Sequence, residues 1–346
     1  MSEWNCEVVI IGKVGKHPNA DSLSITQIHG GYPAIFRTEG GFKEGDLAVY
    51  IPVDSIVPDT EDFHFLAPAP KIGMNGEVSE PSPPVGSVPE RYRRIKAKKL
   101  RGIFSMGMLM PAPVGVTPGQ IVHEMMGITK YEPPEEHTAS SGGQAEKGPE
   151  GWEFPKYTDI EGLRKFANIL EFGEEVVITE KIHGQNARFC WDGERLWCGS
   201  KNEIKAEDVS INWWQVARDL NLIERFAMFP KTIFYGEIYG KSIQKLSYDR
   251  AQKDLIIFDT FDVSTGRWND WNKTVSIAEH VGLPVVPVLY CGAWKGEEHW
   301  SLAEGNSTLA NHIREGFVVK PVVERWHPHI GRVIFKLVGQ AYLLSK

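Results

Sequence analysis

Residues 179–189, TEKIHGQNARF, decide how this 346-residue chain is read. They join EEVVITEKI to NARFCWDG, two runs rich in β-branched and aromatic residues that read as paired strands. They also set Lys181 at a strand end beside His183 and Gly184. A lysine there is by itself an ordinary solvated charge, so its company decides. Working outward, FYGEIYG (234–240), LIIFDTFD (255–262), EGFVVKP (315–321) and VIFKLV (333–338) read as buried strands. Between them, DIEGLRKFANIL (159–170) has helical apolar spacing with Asp159 as an N-cap, and VSINWWQVARDLNLIERF (209–226) reads as a helix. The expected class for residues 158–346 is α+β with antiparallel sheets.

Upstream the composition changes. Residues 1–130 hold short Val-, Ile- and Tyr-rich runs punctuated by Gly, Pro and Asn-Asp turns: CEVVIIGKV, SLSITQIHG, YPAIFRT and GDLAVYIPVDSIV. That pattern predicts a small all-β barrel. Residues 58–90, rich in Pro and Ser, read as a long loop before a basic strand that continues through LRGIFSMGMLMP. Residues 131–157 have the composition of a flexible linker and mark the domain boundary.

With 42% hydrophobic and 24% charged residues, the chain can bury a sizeable core and is not globally disordered. No run approaches the roughly 20 apolar residues of a membrane span, and the first residues lack a signal-peptide pattern. Cys6, Cys190, Cys198 and Cys291 form no C-x-x-C pair, which favours a reducing, cytoplasmic setting. The net charge of −7 argues weakly against a nucleic-acid partner. Charge is nevertheless felt locally, within about 8–10 Å at physiological salt. Residues 91–101, RYRRIKAKKLR, offer Arg91, Arg93, Arg94, Lys96, Lys98, Lys99 and Arg101 as a phosphate track.

The five segments from 179 to 338, in this order, resemble motifs I, III, IIIa, IV and V of the covalent nucleotidyltransferase superfamily of ATP-dependent ligases and capping enzymes. The resemblance implies that Lys181 attacks the α-phosphorus of ATP and carries AMP. An amine does this only when neutral, and a free lysine has a pKa of about 10.4. Nearby positive charge and burial lower it. Lys336 and a divalent cation, Mg²⁺ or Mn²⁺, are expected to supply that field and to stabilise the charge developing on phosphate. Glu237 and Glu315 are expected in the catalytic and metal-binding roles, on the ribose and in the metal-water shell.

Within the first motif, K-x-H-G-x-N is similar to the RNA-ligase branch that includes the phage double-strand-specific and kinetoplastid editing ligases. Glu180, Ile182, His183, Asn186 and Lys201 are accordingly expected around the nucleotide, with His183 alternatively a hydrogen-bonded imidazole that shapes the loop. Phe258 is expected to stack on adenine, with Phe261 as the rival. The fifth motif normally has two lysines one residue apart. Here Ile334 occupies the first position, which leaves open what replaces the missing cation; Arg332 and Lys320 are the candidates.

VGKHPNADSLSI with GDLAVYIPVDSIV is similar to OB-fold modules that bind tRNA, although HPNAD is also good turn chemistry. An OB-like part placed first resembles the Deinococcus-type RNA ligases. The implied organisation is an OB domain at 1–130, a linker at 131–157 and a nucleotidyltransferase domain at 158–346. The implied activity is sealing of 3′-OH/5′-phosphate breaks, with nicked or broken RNA or an RNA/DNA hybrid as partner. No membrane and no obligate protein partner is implied. The alternatives are a DNA ligase or RNA-capping nucleotidyltransferase, and a non-catalytic tRNA/RNA-binding protein.

Overall fold

The computed structural model describes residues 4–72, 78–131, 142–244 and 246–345. The chain divides into two compact units. One is Glu3–Pro133 with Leu343–Lys346, the other Pro134–Tyr342 with Met1–Ser2.

The first unit is built on β-strands. Leu47–Ile51 lies between Glu7–Ile10 and Met108–Pro111, antiparallel to both. Leu23–Ile28 lies between Gly15–Lys16 and Tyr32–Arg37. Val8, Val49, Ile51, Val57, Phe63 and Ile95 share one core. Residues 91–101 are not the expected single strand. A helical turn, Glu90–Arg93, runs into the short strands Arg94–Ile95 and Lys98–Leu100. The chain then reverses at Arg101 (φ 46°) and Gly102 (φ 88°) and returns as Ile103–Ser105. Residues 58–90 are not all loop either, because Phe63 buries itself and anchors a 3-10 helix, Glu61–Leu66.

The second unit contains two five-stranded sheets. One runs in the order Glu161–Gly162, Phe335–Val338, Gly316–Pro321, Glu175–Glu180, Val288–Ala293. The other runs Leu196–Gly199, Gln185–Trp191, Thr232–Gly240, Lys253–Asp262, Arg267–Trp268. Every pairing is antiparallel except that of Glu161–Gly162 with Phe335–Val338. The expected pairing of EEVVITEKI with NARFCWDG is therefore wrong. Glu175–Glu180 belongs to the first sheet and Gln185–Trp191 to the second. Residues 181–184 are the crossover between them. Strand alternation explains the layering. Phe234 faces a core shared with the helices Asn212–Asp219 and Trp271–His280, while its neighbours Ile233 and Tyr235 face Tyr157 and Ile334 on the other side.

Three other expectations are corrected. Residues 159–170 are not a helix. They pair as Glu161–Gly162 and then form a 3-10 turn, Leu163–Lys165, that buries Leu163 against Phe335 and its neighbours. The expected helix at 209–226 is two helices, Asn212–Asp219 and Leu222–Phe226, broken where Asn221 adopts φ 52°. The flexible linker is not one over its described part. Residues 132–141 lie outside the described residues, but Glu146 N–H donates to Ile204 O at 3.0 Å, and Phe154 and Tyr157 are buried. Aromatic side chains in a polar segment gain more from packing than from solvation. Among the described residues, no helix is long and apolar enough to cross a membrane.

Candidate active site

The crossover sets Lys181 in the lining of a cleft of about 240 Å³ in the second unit. Its backbone N–H donates to Gly316 O at 3.0 Å, tying it to the Glu315–Gly316 turn. Two glycines permit this approach. A Cβ on Gly184 would lie 2.2 Å from Ile238 O, and one on Gly316 would lie 2.1 Å from Leu337 O. Gly316 also has φ +150°, a conformation that side-chain-bearing residues rarely adopt.

Lys181 Nζ lies 2.9 Å from Glu315 Oε1. Gly184 N–H donates to Glu237 Oε1 at 3.1 Å, which aims that carboxylate at the same crossover. The charges are strongly perturbed. Burial pushes the Glu237 carboxyl up to about 8, with Lys181 opposing and Glu315 adding to the rise. Burial also pushes Glu315 upward, but Lys181 and His183 prevail and hold it at about 2. For Lys181, burial pulls downward while Glu315 and Glu237 more than compensate, so its pKa is raised. Carboxylates, not cations, stand nearest the amine. Lys336 behaves as expected of a buried cation among cations: burial, then Lys181 and Lys201, bring it down to about 8.

Lys181, Glu180, Ile182, Asn186, Lys201, Glu237, Phe258, Lys320 and Lys336 all line the cleft. Glu180 turns one oxygen away, accepting from Thr308 N–H at 2.8 Å and Thr308 Oγ1 at 2.7 Å. Lys201 is held by Asp159 at 2.7 Å. Asn186 keeps a buried Oδ1 without a hydrogen-bond partner among the described residues. His183 stands behind the wall. Its N–H donates to the Tyr248 hydroxyl at 2.7 Å, and its Nδ1 is 3.0 Å from the Tyr342 hydroxyl and 3.6 Å from Glu315 Oε2. Phe258 forms a wall of the cleft, 4.7 Å from the Tyr157 ring, whereas Phe261 packs against Trp268.

Both candidates for the missing cation are paired with buried carboxylates. Lys320 Nζ binds Asp259 at 2.6 Å and Glu324 at 3.0 Å, and Arg332 binds the same two carboxylates. Tyr157 donates to Asp259 Oδ2 at 2.8 Å. Asp259 is fully buried; burial raises its pKa, but Arg332 and Lys320 outweigh this and lower it. The sequence reading missed Tyr157, Asp259 and Trp271 as cleft residues. A carboxylate inside the apolar run LIIFDTFD was the one available sign, since buried charge requires partners.

In the first unit, Arg93 and Arg94 are spent on structure. Arg93 donates to Val57 O at 2.7 Å and Val88 O at 3.0 Å, and Arg94 pairs with Asp54 and covers Tyr131. Arg91, Lys96, Lys98, Lys99 and Arg101 are exposed.

Comparison with known proteins identifies both parts. Residues 174–338 match the RNA ligase family, and residues 7–112 match an OB-fold domain. The structure of Naegleria gruberi RNA ligase with PPi has a TM-score of 0.79 at 23% identity, covering 99% of this chain and 98% of that one. A lysine-to-alanine mutant of that ligase with ATP and Mn gives 0.78 at 22% identity, covering 98% of each chain. A lysine-to-methionine mutant with AMP and Mn gives 0.78 at 23%, covering 99% and 98%. At such identity the likeness establishes a shared fold. No curated protein sequence matches the chain.

Proposed function

We propose that this chain, which carries an RNA ligase domain behind an OB-fold domain, uses ATP to seal RNA breaks bearing a 3′-OH and a 5′-phosphate. The observation that carries the reading is Lys181 Nζ set 2.9 Å from Glu315 in a cleft shared with Glu237, Lys201, Lys336 and the Phe258 ring. In the first step the Lys181 amine, having lost a proton, attacks the α-phosphorus. An N–P bond forms, and the bond to the pyrophosphate oxygen breaks. A 5′-phosphate oxygen then takes the AMP from lysine. Finally the 3′-OH attacks that phosphate, loses its proton and releases AMP.

Phe258 stacks on adenine, with Ile182 closing the slot. Lys336 and Lys201 neutralise phosphate charge. Glu237, Glu315 and the loop around Asn186 orient ribose and phosphate. Mg²⁺ or Mn²⁺ fits this chemistry. Among the described residues, buried Glu315 Oε2 has no hydrogen-bond partner, and Glu237 is costly to ionise alone. Among the described residues no group of three or more metal-ligating side chains occurs. That suits a cation held by one or two carboxylates together with phosphate and water. It would draw negative charge away from Lys181 and so favour the neutral amine. The Naegleria gruberi mutant solved with ATP and Mn accords with this cofactor pair.

For substrate, we take a duplex nick with RNA on the 3′-OH side, in the cytoplasm. The 2′-OH biases the terminal sugar towards the A-form pucker and so places the attacking oxygen. In-line attack tolerates little error, since about 1 Å can cost on the order of a hundredfold. The test uses ATP labelled at the α-phosphate, then four nicked duplexes with RNA or DNA on either side of the break. Label should reach the wild-type protein but not Lys181→Ala or Lys181→Arg, and ribonucleotide 3′-ends should seal fastest. Equal labelling of Lys181→Ala overturns the reading. Fast sealing of the all-DNA nick would make the protein a DNA ligase with the same nucleophile.

A further inference from the structure

The HPNAD turn, which carries the resemblance to tRNA-binding modules, has a second role in the structure that its sequence does not announce. His17 is only 4% exposed, although it sits in a surface turn. Its ring bridges two pieces of chain far apart in sequence. Asn19 N–H lies 3.1 Å from Nδ1, and Leu100 O lies 3.0 Å from Nε2. Since a backbone N–H can only donate, Nδ1 accepts, and the ring is the neutral tautomer that donates from Nε2. The Asn19 side chain adds a second tie one residue on, donating to Arg101 O at 2.9 Å.

Leu100 and Arg101 are the turn end of the hairpin formed by Lys98–Leu100 and Ile103–Ser105. Both residues of that turn have positive φ, the pattern of a type I′ reversal. Gly102 takes it freely, but Arg101 does not, since a side chain there crowds its own backbone. Asn-Gly or Gly-Gly is the ordinary choice for such a turn. Arg101 is held in the unfavourable conformation by the bonds from His17 and Asn19 to the two carbonyls beside it. What this arrangement displays is charge: Lys98, Lys99 and Arg101 are all exposed on the hairpin, as is Lys16 next to His17.

We infer that the hairpin Lys98–Ser105, clamped at its turn by His17 and Asn19, is the surface through which the first unit grips the RNA phosphate backbone. The inference rests on the RNA-ligase reading and narrows the basic run to part of its length. Arg93 and Arg94 are already committed to Val57, Val88 and Asp54. Charge complementarity selects the partner: the exposed cations of the hairpin attract a polyanion, and its binding gains from each counterion released. His17 and Asn19 are positioning residues. They bring the cations to the phosphates without supplying charge.

The test measures binding of the full-length protein to a labelled nicked RNA duplex across a salt series, with self-adenylation by ATP measured in parallel. Lys98→Ala/Lys99→Ala should weaken binding about tenfold or more and flatten the salt dependence, by about 0.7–0.9 in slope for each phosphate no longer neutralised. Asn19→Ala removes no charge, and Asn19 is exposed, so the buried His17 is left in place. It should still weaken binding severalfold and flatten the salt dependence, and it should add less in the Lys98→Ala/Lys99→Ala background, where Arg101 alone of the three cations is left to misplace. Self-adenylation should be unchanged in all variants. Wild-type affinity and slope in Asn19→Ala, or additive losses in the triple variant, overturn the clamp. Wild-type affinity in Lys98→Ala/Lys99→Ala overturns the surface while leaving the ligase reading intact. Failure of the wild-type protein itself to bind RNA would instead strike at the ligase reading and take this inference with it.

Discussion

Lys181 Nζ and Glu315 Oε1 form a 2.9 Å ion pair in the cleft, so the proposed nucleophile rests as an ammonium held by the carboxylate beside it. Burial favours the neutral amine, but the two glutamates prevail and raise its pKa. Glu315→Gln removes the largest of those attractions. The variant should lose self-adenylation by a factor on the order of a hundred or more, as a charge-orienting group is lost. Whatever activity remains should have its rising pH limb displaced to lower pH, because Lys181 then gives up its proton more easily. A wild-type rate in the folded variant at saturating magnesium removes Glu315 from the site.

Glu237 gives a stability signature. Its carboxyl has an ordinary pKa of 4.5, pushed up to about 8 by burial in the folded protein. Between those values the folded state binds more protons than the unfolded one, so this residue makes stability fall as pH rises from about 4.5 to 8. Glu237→Gln should therefore be more stable than wild type at and above pH 8, on the order of 1–3 kcal/mol. The gain should shrink towards zero below pH 4.5. Denaturant midpoints across pH, without nucleotide or metal, measure it, and a pH-independent difference contradicts the account.

The two phenylalanines can be separated kinetically. Phe258 walls the cleft, while Phe261 packs on Trp268 at 5.3 Å. Stacking on a base contributes about 1–3 kcal/mol, so Phe258→Leu should raise the KM for ATP about tenfold. Phe261→Leu should change stability and leave that KM nearly alone. The reverse pattern would move adenine to the other ring.

Asp259 is bound by Lys320, Arg332 and Tyr157 with no exposure to solvent. Removing one partner from a buried charge cluster leaves others uncompensated, at about 3–5 kcal/mol. Asp259→Asn should be destabilised by that order. Because the native pKa of Asp259 is depressed, its contribution is present above the ordinary value of 3.8 and is lost as pH falls through the folded one. The wild-type advantage should thus fade in acid. A midpoint equal to wild type at neutral pH would show that the cluster does not stabilise the fold.

Where the catalytic unit begins can be tested by truncation. Ala145 and Glu146 pair with the strand edge at Ile204 and Lys205, and Phe154 and Tyr157 are buried. A fragment starting at Gly142 should be clearly more stable than one starting at Thr158, which loses those aromatics. Self-adenylation should survive in the longer fragment and drop in the shorter one, since Tyr157 lines the cleft. Equal stability of the two would return residues 142–157 to the role of a linker.

Read in one dimension, the chain already reveals which segments meet around the cleft. Lys181, Glu237, Phe258, Glu315 and Lys336 each stand in a strand-forming run of fixed order, and such runs are legible because alternation and β-branching act locally. The β-rich first part also separates from the α+β second part on composition and pattern. Which strands pair is not legible. EEVVITEKI and NARFCWDG are neighbours in the chain and lie in different sheets, because burial of both faces, not proximity, chose their partners. Only that choice turns residues 181–184 into a crossover and sets Lys181 against Glu315, far along the chain. Likewise hidden was which charges stand nearest Lys181 in space, Glu315 and Glu237. So was the fate of the basic run. Seven cations look alike in sequence, but Asp54, Val57 and Val88 claim two of them, and His17 and Asn19 bond the backbone at the turn of a hairpin on which three others are exposed. Hydrogen-bond partners at long range made that division, and no local pattern encodes them.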